Sequence, residues 1–530
     1  MATERMHKSK LVILVALFLG LLGNFAFFRN VTAVYPLSFG NAAFLLSLSV
    51  VLVSVIALLL SLVTIRAVTK PVLILILLLS SFASYFMDSF NVVIDVSMLQ
   101  NIAQTNVAES SDLFSLKLVF YVLLLGVLPS VLVYKVNLKN MSLKSELASK
   151  LKFMLLALLI MALMIVPLSK FYTSFFREYK PLRYYTNPVY FLYAVGEIVN
   201  GAFRHGASAV QVIGKDAHVP AGDLDRELVI LVVGEAARAD RFSLNGYAKE
   251  TSPLLKKEAV FNLSQMSSCG TSTAISVPCM FSNFGRAQYS DQKAHATENL
   301  LDVLHHANVQ ILWRDNNSDS KGVATNVRYE DFKSPKLNPV CDVECRDEGM
   351  LSGLQDYINK QKTGDILIVL HQMGNHGPAY YRRYPAAFER FKPACKTSQL
   401  ENCTREEISN AYDNAILYTD YFLSKVIALL KNNTKDFEAA MVYMSDHGES
   451  LGEKGLYLHG LPYVMAPDTQ KHVGAILWFG DGFPIDRPAL RAKLARPYSH
   501  DNLFHTVLGL FEVDTEVYDQ KKDIVQGNSR

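Results

Sequence analysis

The stretch "SSCGTSTAISVPC", residues 267–279, sets Thr271, Ser272 and Thr273 between two cysteines and ahead of an apolar run. A disulfide from Cys269 to Cys279 would present a hydroxyl on a fixed loop. If "TAISVPCMFSNF" opens a helix, its N-terminus adds backbone N–H groups and positive potential suited to a phosphate. A threonine hydroxyl is a weak nucleophile at neutral pH unless a base or a metal favours its alkoxide. Residues able to hold a metal recur along the chain: Glu235 after "ELVILVVG", His376 in the segment after "DILIVLHQ", Asp446 and His447 after "EAAMVYMS", and His459 a short loop further on. Glu, Asp and His supply the oxygen and nitrogen ligands that suit zinc, and a catalytic site leaves one position for a reacting group, for which Thr273 is the candidate. The same loop is readable as a disulfide around a helix cap, and Thr271 and Ser272 compete for the nucleophile role. His371, inside an apolar run, reads as a packed or supporting histidine.

These residues need a scaffold that brings distant segments to one place. From about residue 220 onward, short apolar runs rich in β-branched residues, "ELVILVVG", "VQILWR", "DILIVLHQ", "EAAMVYMS" and "VGAILWFG", alternate with helical stretches such as "ENLLDVLHHA" and "EEISNAYDNAILYTDYFLSKVIALLKN". Continuous apolar strands separated by helices predict an α/β domain with a mostly parallel sheet flanked by helices. Ligands of such sheets gather at the carboxyl ends of the strands, where Glu235, His376, Asp446 and His447 fall.

The first third of the chain has a different character. Half of the 530 residues are hydrophobic (50%) and only 19% are charged, and the apolar ones concentrate in five early runs, 11–28, 44–65, 71–87, 116–136 and 151–172. Each approaches the ~20 residues that cross a bilayer. The first reads as a retained anchor, because no small-x-small cleavage site follows it. Arg5, Lys8 and Lys10 precede run one, Arg66 and Lys70 separate runs two and three, and Lys135, Lys139, Lys144, Lys150 and Lys152 lie around the connection between runs four and five. The excess of Lys and Arg on alternate loops predicts a cytoplasmic N-terminus and an external location for everything after the fifth run. Residues 173–219 mix aromatics with Arg and Lys and are too polar to span, as befits a segment along the headgroup region. All six cysteines lie beyond it, as disulfides distribute in an oxidising compartment. Short separations pair Cys269 with Cys279, Cys341 with Cys345 and Cys395 with Cys403; a cysteine zinc site is disfavoured by the absence of paired C-x-x-C units. A net charge of +3 gives no general attraction to polyanions, and no nucleic-acid partner is expected.

The motifs "VVGEAARADRFSLNGY", "SSCGTSTAISVPCMFS", "RDNNSDSKG", "HQMGNHGPAYYRRYP" and "YMSDHGESLGEKGLYLHG" together resemble the lipid A phosphoethanolamine transferases, including the mobile colistin resistance enzymes, within the alkaline phosphatase superfamily. The resemblance covers nearly the whole chain. It implies a five-helix transmembrane domain over 1–172, an interfacial bridge over 173–219 and a periplasmic zinc-dependent catalytic domain over 220–530, in the bacterial inner membrane. By the same resemblance, Glu235, Thr273, Asp446 and His447 bind Zn2+, Thr273 is the nucleophile, His376 and His459 contact the phosphoryl group or a second zinc, and Asn317 and Lys321 contact substrate phosphate. Asn101, Thr105 and Glu109 recur every four residues and would share one helical face, which the family places beside the lipid head group. The implied reaction carries phosphoethanolamine from phosphatidylethanolamine to a lipid A phosphate, and polymyxin resistance is the implied phenotype. Transfer of phosphoethanolamine or phosphoglycerol to core sugars, glucans or proteins, and a non-catalytic membrane-tethered metal-binding protein, are the alternatives.

The orientation is checked by thiol labelling of intact cells: a cysteine replacing Gly222 is expected to react with a membrane-impermeant maleimide, and one replacing Lys144 only after lysis.

Overall fold

The computed structural model describes residues 5–65, 68–104, 110, 112–204, 210–223 and 225–525. The chain forms two compact units, Met1–Leu99 with Phe114–His205, and Gln100–Leu113 with Gly206–Arg530.

In the first unit the leucine-rich runs coil into helices, because a segment within lipid must satisfy its own backbone hydrogen bonds. Phe39–Val63, Thr69–Phe90, Leu116–Lys135 and Leu143–Ile165 are each long and apolar enough to span a membrane. The earliest apolar run is not one straight helix: Lys8–Leu22 and Phe25–Val34 meet at a bend of 53°, and together they make a fifth candidate span. The cause is local. Two buried asparagines, Asn24 and Asn187, replace the ladder at the break. Asn24 Nδ2 donates to the carbonyls of Leu19 (2.9 Å) and Asn187 (2.6 Å), and Asn24 Oδ1 accepts from the Asn187 N–H at 2.8 Å. Asn187 Nδ2 in turn lies within hydrogen-bond reach of the Gly23 and Ser80 carbonyls and Ser84 Oγ. Side-chain amides thus take over carbonyls released by the bend, as the apolar surroundings require. Elsewhere Gly126 permits close approach, since a Cβ there would stand 2.6 Å from Ser81 Oγ on helix Thr69–Phe90.

The second unit is built on a seven-stranded sheet. Its strands in chain order are β1 (Glu227–Gly234), β2 (Phe261–Asn262), β3 (Gln310–Asp315), β4 (Arg328–Asp331), β5 (Ile366–His371), β6 (Glu438–Ser445) and β7 (Ala475–Phe479). The spatial order is β2-β7-β6-β1-β5-β3-β4. The five strands from β6 to β4 run parallel, whereas β7, predicted from "VGAILWFG", is antiparallel to β6 and to the short β2. The sheet is therefore mostly parallel with an antiparallel edge.

Every residue of β1 is buried, because successive side chains enter opposite cores. Val229, Leu231 and Val233 join Leu300, Phe504 and Val507 on one face. Leu228, Ile230 and Val232 join Tyr412, Phe422 and Val426 of helix Arg405–Lys431 on the other. That helix starts where Thr404 and Glu407 cap each other reciprocally, Glu407 N to Thr404 Oγ1 at 3.2 Å and Thr404 N to Glu407 Oε2 at 2.7 Å.

Replacing Asn187 by Ala removes the amide donor to the Gly23 and Ser80 carbonyls and leaves Gly23 with the Ser84 hydroxyl. The expected cost is about 1–3 kcal/mol, read as a lower Tm of the full-length protein in detergent; an unchanged Tm would show that the asparagine pair does not hold the bend.

Candidate active site

The parallel strands end in step: Val233 is aligned with His371, His371 with Asp315, and Gly234 with Ser445. Residues just beyond these ends converge at one crest. Glu235 and Asp446 are fully buried there, with His447 beside them. Glu235 has a glycine against it: Gly374 has φ +49°, and a Cβ there would sit 2.9 Å from the Glu235 carbonyl oxygen.

Thr273 is the first residue of helix Thr273–Met280. Its Oγ1 donates to Glu235 Oε2 at 3.1 Å and lies 3.4 Å from His447 Nε2. Neither rival hydroxyl hydrogen-bonds to the cluster among the described residues. Thr271 Oγ1 donates to the Leu461 carbonyl at 2.6 Å, and Ser272, at the N-cap, makes no capping hydrogen bond through its side chain. The loop is held by the Cys269–Cys279 disulfide and by hydrogen bonds from Ser268 Oγ to the Gly270 carbonyl (2.6 Å) and from the Gly270 N–H to Ser276 Oγ (3.0 Å). Cys341 is joined to Cys345 and Cys395 to Cys403.

His447 Nδ1 lies 2.8 Å from the Gly448 carbonyl, to which it must donate, leaving a lone pair on Nε2. That nitrogen is 3.3 Å from Glu235 Oε1 and 3.4 Å from Asp446 Oδ2. Both of these oxygens are buried and have no hydrogen-bond partner among the described residues. Each carboxylate is anchored through its other oxygen: Glu235 Oε2 accepts from Asn317 Nδ2 at 2.8 Å, and Asp446 Oδ1 from the N–H groups of Ala236 (3.1 Å) and His447 (2.7 Å). Burial opposes a proton on His447, but the carboxylates of Asp446 and Glu235 outweigh it and raise its proton affinity. The pocket favours a positive charge. Two bare carboxylate oxygens, an imidazole lone pair and the Thr273 hydroxyl fit a four-coordinate zinc ion in chemistry and number.

A second group adjoins the first: ligand atoms of His447, Glu449 and His459 lie within 4.8 Å of one another. Glu449 accepts from Tyr380 Oη at 2.5 Å through Oε1, and His459 Nδ1 is 2.7 Å from its Oε2. His376 stands with its ring centroid 5.6 Å from that of His459, and its Nδ1 is buried without a hydrogen-bond partner among the described residues. Burial depresses both imidazoles, His376 to about 4 and His459 to about 3. They are neutral at pH 7. Burial also pushes Glu449 up to about 7.

Asn317 enters the cluster directly, donating to Glu235 and, at 2.6 Å, to the Gln372 carbonyl. Lys321 is held farther along the same loop, its ammonium donating to the carbonyls of Ser318 (2.7 Å) and Gln104 (3.4 Å). Asn101 lies in helix Val96–Gln104, half-buried. Thr105 and Glu109 lie outside the described residues.

Some supporting residues have no signature in the sequence. Asp315 Oδ1 accepts from the N–H groups of Asn317 (3.0 Å) and Asp319 (3.2 Å), while Oδ2 accepts from Trp313 Nε1 (3.0 Å) and meets His371 Nδ1 (2.8 Å), so one buried carboxylate shapes the Asn317 loop. His500 Nδ1 accepts from the Cys269 N–H at 3.1 Å and its Nε2 donates to the Ser445 carbonyl at 2.9 Å, tying the Thr273 loop to the end of β6. Burial holds His500 near a pKa of about 3, and that double role requires the neutral ring. Glu449 stood two residues from His447 in "SDHGES", but only the return of Tyr380 and His459 marks it as part of the site.

Comparison with known proteins adds three kinds of finding. A sulfatase family model matches residues 227–513, and a model of the phosphoethanolamine transferases EptA/EptB matches residues 52–203. The chain is 43% identical over 512 residues to the phosphatidylethanolamine transferase Mcr-2 of Escherichia coli, covering 94% of each sequence. It is 39% identical over 530 residues to the phosphoethanolamine transferase EptA of Escherichia coli (strain K12), covering 97% of this chain and 96% of the relative. It also resembles the solved structure of the integral membrane lipooligosaccharide phosphoethanolamine transferase A from Neisseria meningitidis, with a TM-score of 0.95, 36% identity, and coverage of 99% of this chain and 100% of that one.

The donor set makes a metal prediction. Glu235→Gln, Asp446→Asn and His447→Ala are each expected to weaken zinc binding by more than ~100-fold, since outer partners alone are worth about 10–100-fold. Elemental analysis and zinc titration of purified protein check this; retained stoichiometric zinc in all three would refute the assigned ligand set.

Proposed function

Because the chain belongs to the phosphoethanolamine transferase family, in the alkaline phosphatase superfamily, we propose that it transfers phosphoethanolamine from phosphatidylethanolamine to a phosphate of lipid A through a covalent intermediate on Thr273. The observation that carries this reading is the Thr273 hydroxyl, 3.1 Å from Glu235 and 3.4 Å from His447, at a helix start inside a cluster with two bare carboxylate oxygens.

Glu235, Asp446, His447 and Thr273 would hold Zn2+. Bound there, the ion would favour the Thr273 alkoxide and offset charge on the phosphoryl oxygens. Thr273 Oγ attacks the phosphorus of phosphatidylethanolamine; a P–Oγ bond forms, the bond to the glycerol oxygen breaks, and diacylglycerol leaves as the alcohol with the proton that Thr273 gives up. An oxygen of the acceptor phosphate then attacks the same phosphorus, the P–Oγ bond breaks, and Thr273 regains a proton. Glu235 orients the hydroxyl, and Asn317 fixes Glu235. The ammonium of Lys321 has the chemistry to meet phosphoryl oxygens, and the amide of Asn317 does so on giving up the Gln372 carbonyl, since its two N–H groups are divided between that carbonyl and Glu235. His376, kept neutral by burial, offers a ring N–H to the phosphoryl group without adding charge beside the zinc ligands, and His459, whose Nδ1 faces Glu449, keeps its other ring nitrogen for the phosphoryl group or a second zinc. Asn101, Thr105 and Glu109 are assigned to the ethanolamine head group, where a carboxylate suits an ammonium.

The membrane helices and disulfides suit an enzyme of the bacterial inner membrane whose catalytic domain faces the periplasm. An ammonium added to lipid A lowers the negative charge of the outer surface and weakens its attraction for cationic peptides, so polymyxin resistance is the expected phenotype.

Mass spectrometry of lipid A from a polymyxin-sensitive host tests the proposal. Expression of the wild-type chain is expected to add phosphoethanolamine and raise the tolerated polymyxin concentration, and Thr273→Ala to abolish both. Lipid A left unmodified by membrane-inserted wild-type protein would exclude it as acceptor, and the search would pass to core sugars, glucans and proteins.

A further inference from the structure

Residues Gln100–Leu113 belong to the same compact unit as the sheet, although they are separated from the rest of that unit by about a hundred residues of chain. Two polar links attach the start of this segment: Gln100 Nε2 donates to Asp291 Oδ2 at 3.1 Å, and Lys321 Nζ to the Gln104 carbonyl at 3.4 Å. At its far end stands Asp112, 6% exposed. Its carboxylate accepts from Arg382 Nη1 at 2.5 Å through one oxygen and from Arg383 Nη2 through the other.

Arg383 is the consequential partner. Its side chain is 3% exposed; it also pairs with Glu344, and its Nε donates to the His376 carbonyl at 2.7 Å. Arg346, 4% exposed, adds a third guanidinium, bonded to the Arg382 carbonyl and paired with Asp342 and Glu344 in the loop closed by Cys341 and Cys345. Among the described residues three guanidiniums therefore face three carboxylates, of Asp112, Asp342 and Glu344, and of these Asp112 is the most buried. Removing one member of a buried ion cluster leaves an uncompensated charge, which is far more costly than losing an exposed pair.

We propose that Asp112 is a positioning residue for phosphoethanolamine transfer: it neutralises the Arg382–Arg383 pair and thereby fixes the backbone that carries His376. This rests on the functional reading above, in which His376 meets the phosphoryl group. The chain of contact is continuous, from the Asp112 carboxylate to the Arg383 guanidinium to the His376 carbonyl. With Asp112 neutral, Arg383 loses one of its two carboxylate partners named above and shifts toward Glu344, and the His376 carbonyl loses a fixed donor. Because Asp112 touches neither the zinc ligands nor Thr273, its loss slows the transfer step and leaves metal content intact.

The test uses full-length protein in phosphatidylethanolamine vesicles with lipid A as acceptor. Asp112→Asn is expected to lower kcat by about tenfold with little change in KM, consistent with loss of a buried charge partner. Asp112→Glu is expected to recover most of the rate. The double variant Asp112→Asn, Arg382→Gln should be no slower than the slower single variant, as for residues acting through one interaction. Zinc content stays at the wild-type value, Tm falls as a buried charge partner is lost, and amide exchange over residues 373–377 quickens in Asp112→Asn. Should Asp112→Asn fail to fold, Arg383→Lys, which keeps the charge but lacks the Nε donor to the His376 carbonyl, carries the same rate and exchange test. Wild-type kcat in both single variants, losses that multiply in the double variant, or a rate loss that merely follows lost zinc would overturn the proposal. Wild-type protein that moves no phosphoethanolamine defeats the functional reading instead, whereas an active wild type with unchanged exchange over 373–377 in Asp112→Asn defeats the positioning role alone.

Discussion

Glu235 and Asp446 are fully buried, and each keeps one oxygen free of any hydrogen bond among the described residues while the other is firmly held. Ionised carboxylates in such surroundings cost several kcal/mol apiece unless a positive charge answers them. His447 cannot fully provide it while its Nδ1 donates to Gly448 and its Nε2 faces both acids, unless it takes a proton; a divalent cation meets the same need and uses the lone pair as well. Much of the neighbouring structure serves this one electrostatic constraint. Asn317 and the backbone N–H groups of Ala236 and His447 aim the carboxylates, and Gly374 lets the chain pass against Glu235.

Such a cluster keeps its geometry only on a stiff support. Strand β1 is hydrogen-bonded along its length to β5 and β6, and its side chains alternate between two apolar cores, so the residues after these strands have little freedom. The loops are tied in turn by buried polar links. His500 joins the Thr273 loop to β6, and Asp315 joins the Asn317 loop to β3 and β5. Neutral histidine at position 500 and paired charge at Asp315 and His371 avoid adding a further bare charge beside the acids.

The membrane-helix unit solves a related problem without charge. A bend in an apolar helix exposes carbonyls that lipid cannot satisfy, and the Asn24–Asn187 pair accepts and donates in their place. In both units, buried polar groups are tolerated because specific partners arrive from segments distant in sequence.

Much of this was legible in the sequence. Leucine-rich runs of bilayer length, apolar strands alternating with helices, and Glu, His and Asp at or just beyond strand ends depend on local composition and periodicity, which need no partner to be read. The antiparallel course of "VGAILWFG" was not legible, because an apolar run reads alike in either direction. Nor was the break after Leu22, which depends on Asn187 reaching back to Asn24. At the site, "GTST" alone left three hydroxyls in competition. Tertiary structure separated them by giving Thr271 to the Leu461 carbonyl and Thr273 to Glu235. Glu449, Asp315, His500 and Asp112 share that dependence: each acts through a partner dozens to hundreds of residues away or across a folded loop. Residue types and local order determined what chemistry this chain can carry; which atoms perform it was decided by long-range contacts, since a hydrogen bond made or withheld in a buried site depends on what the fold brings within about 3 Å.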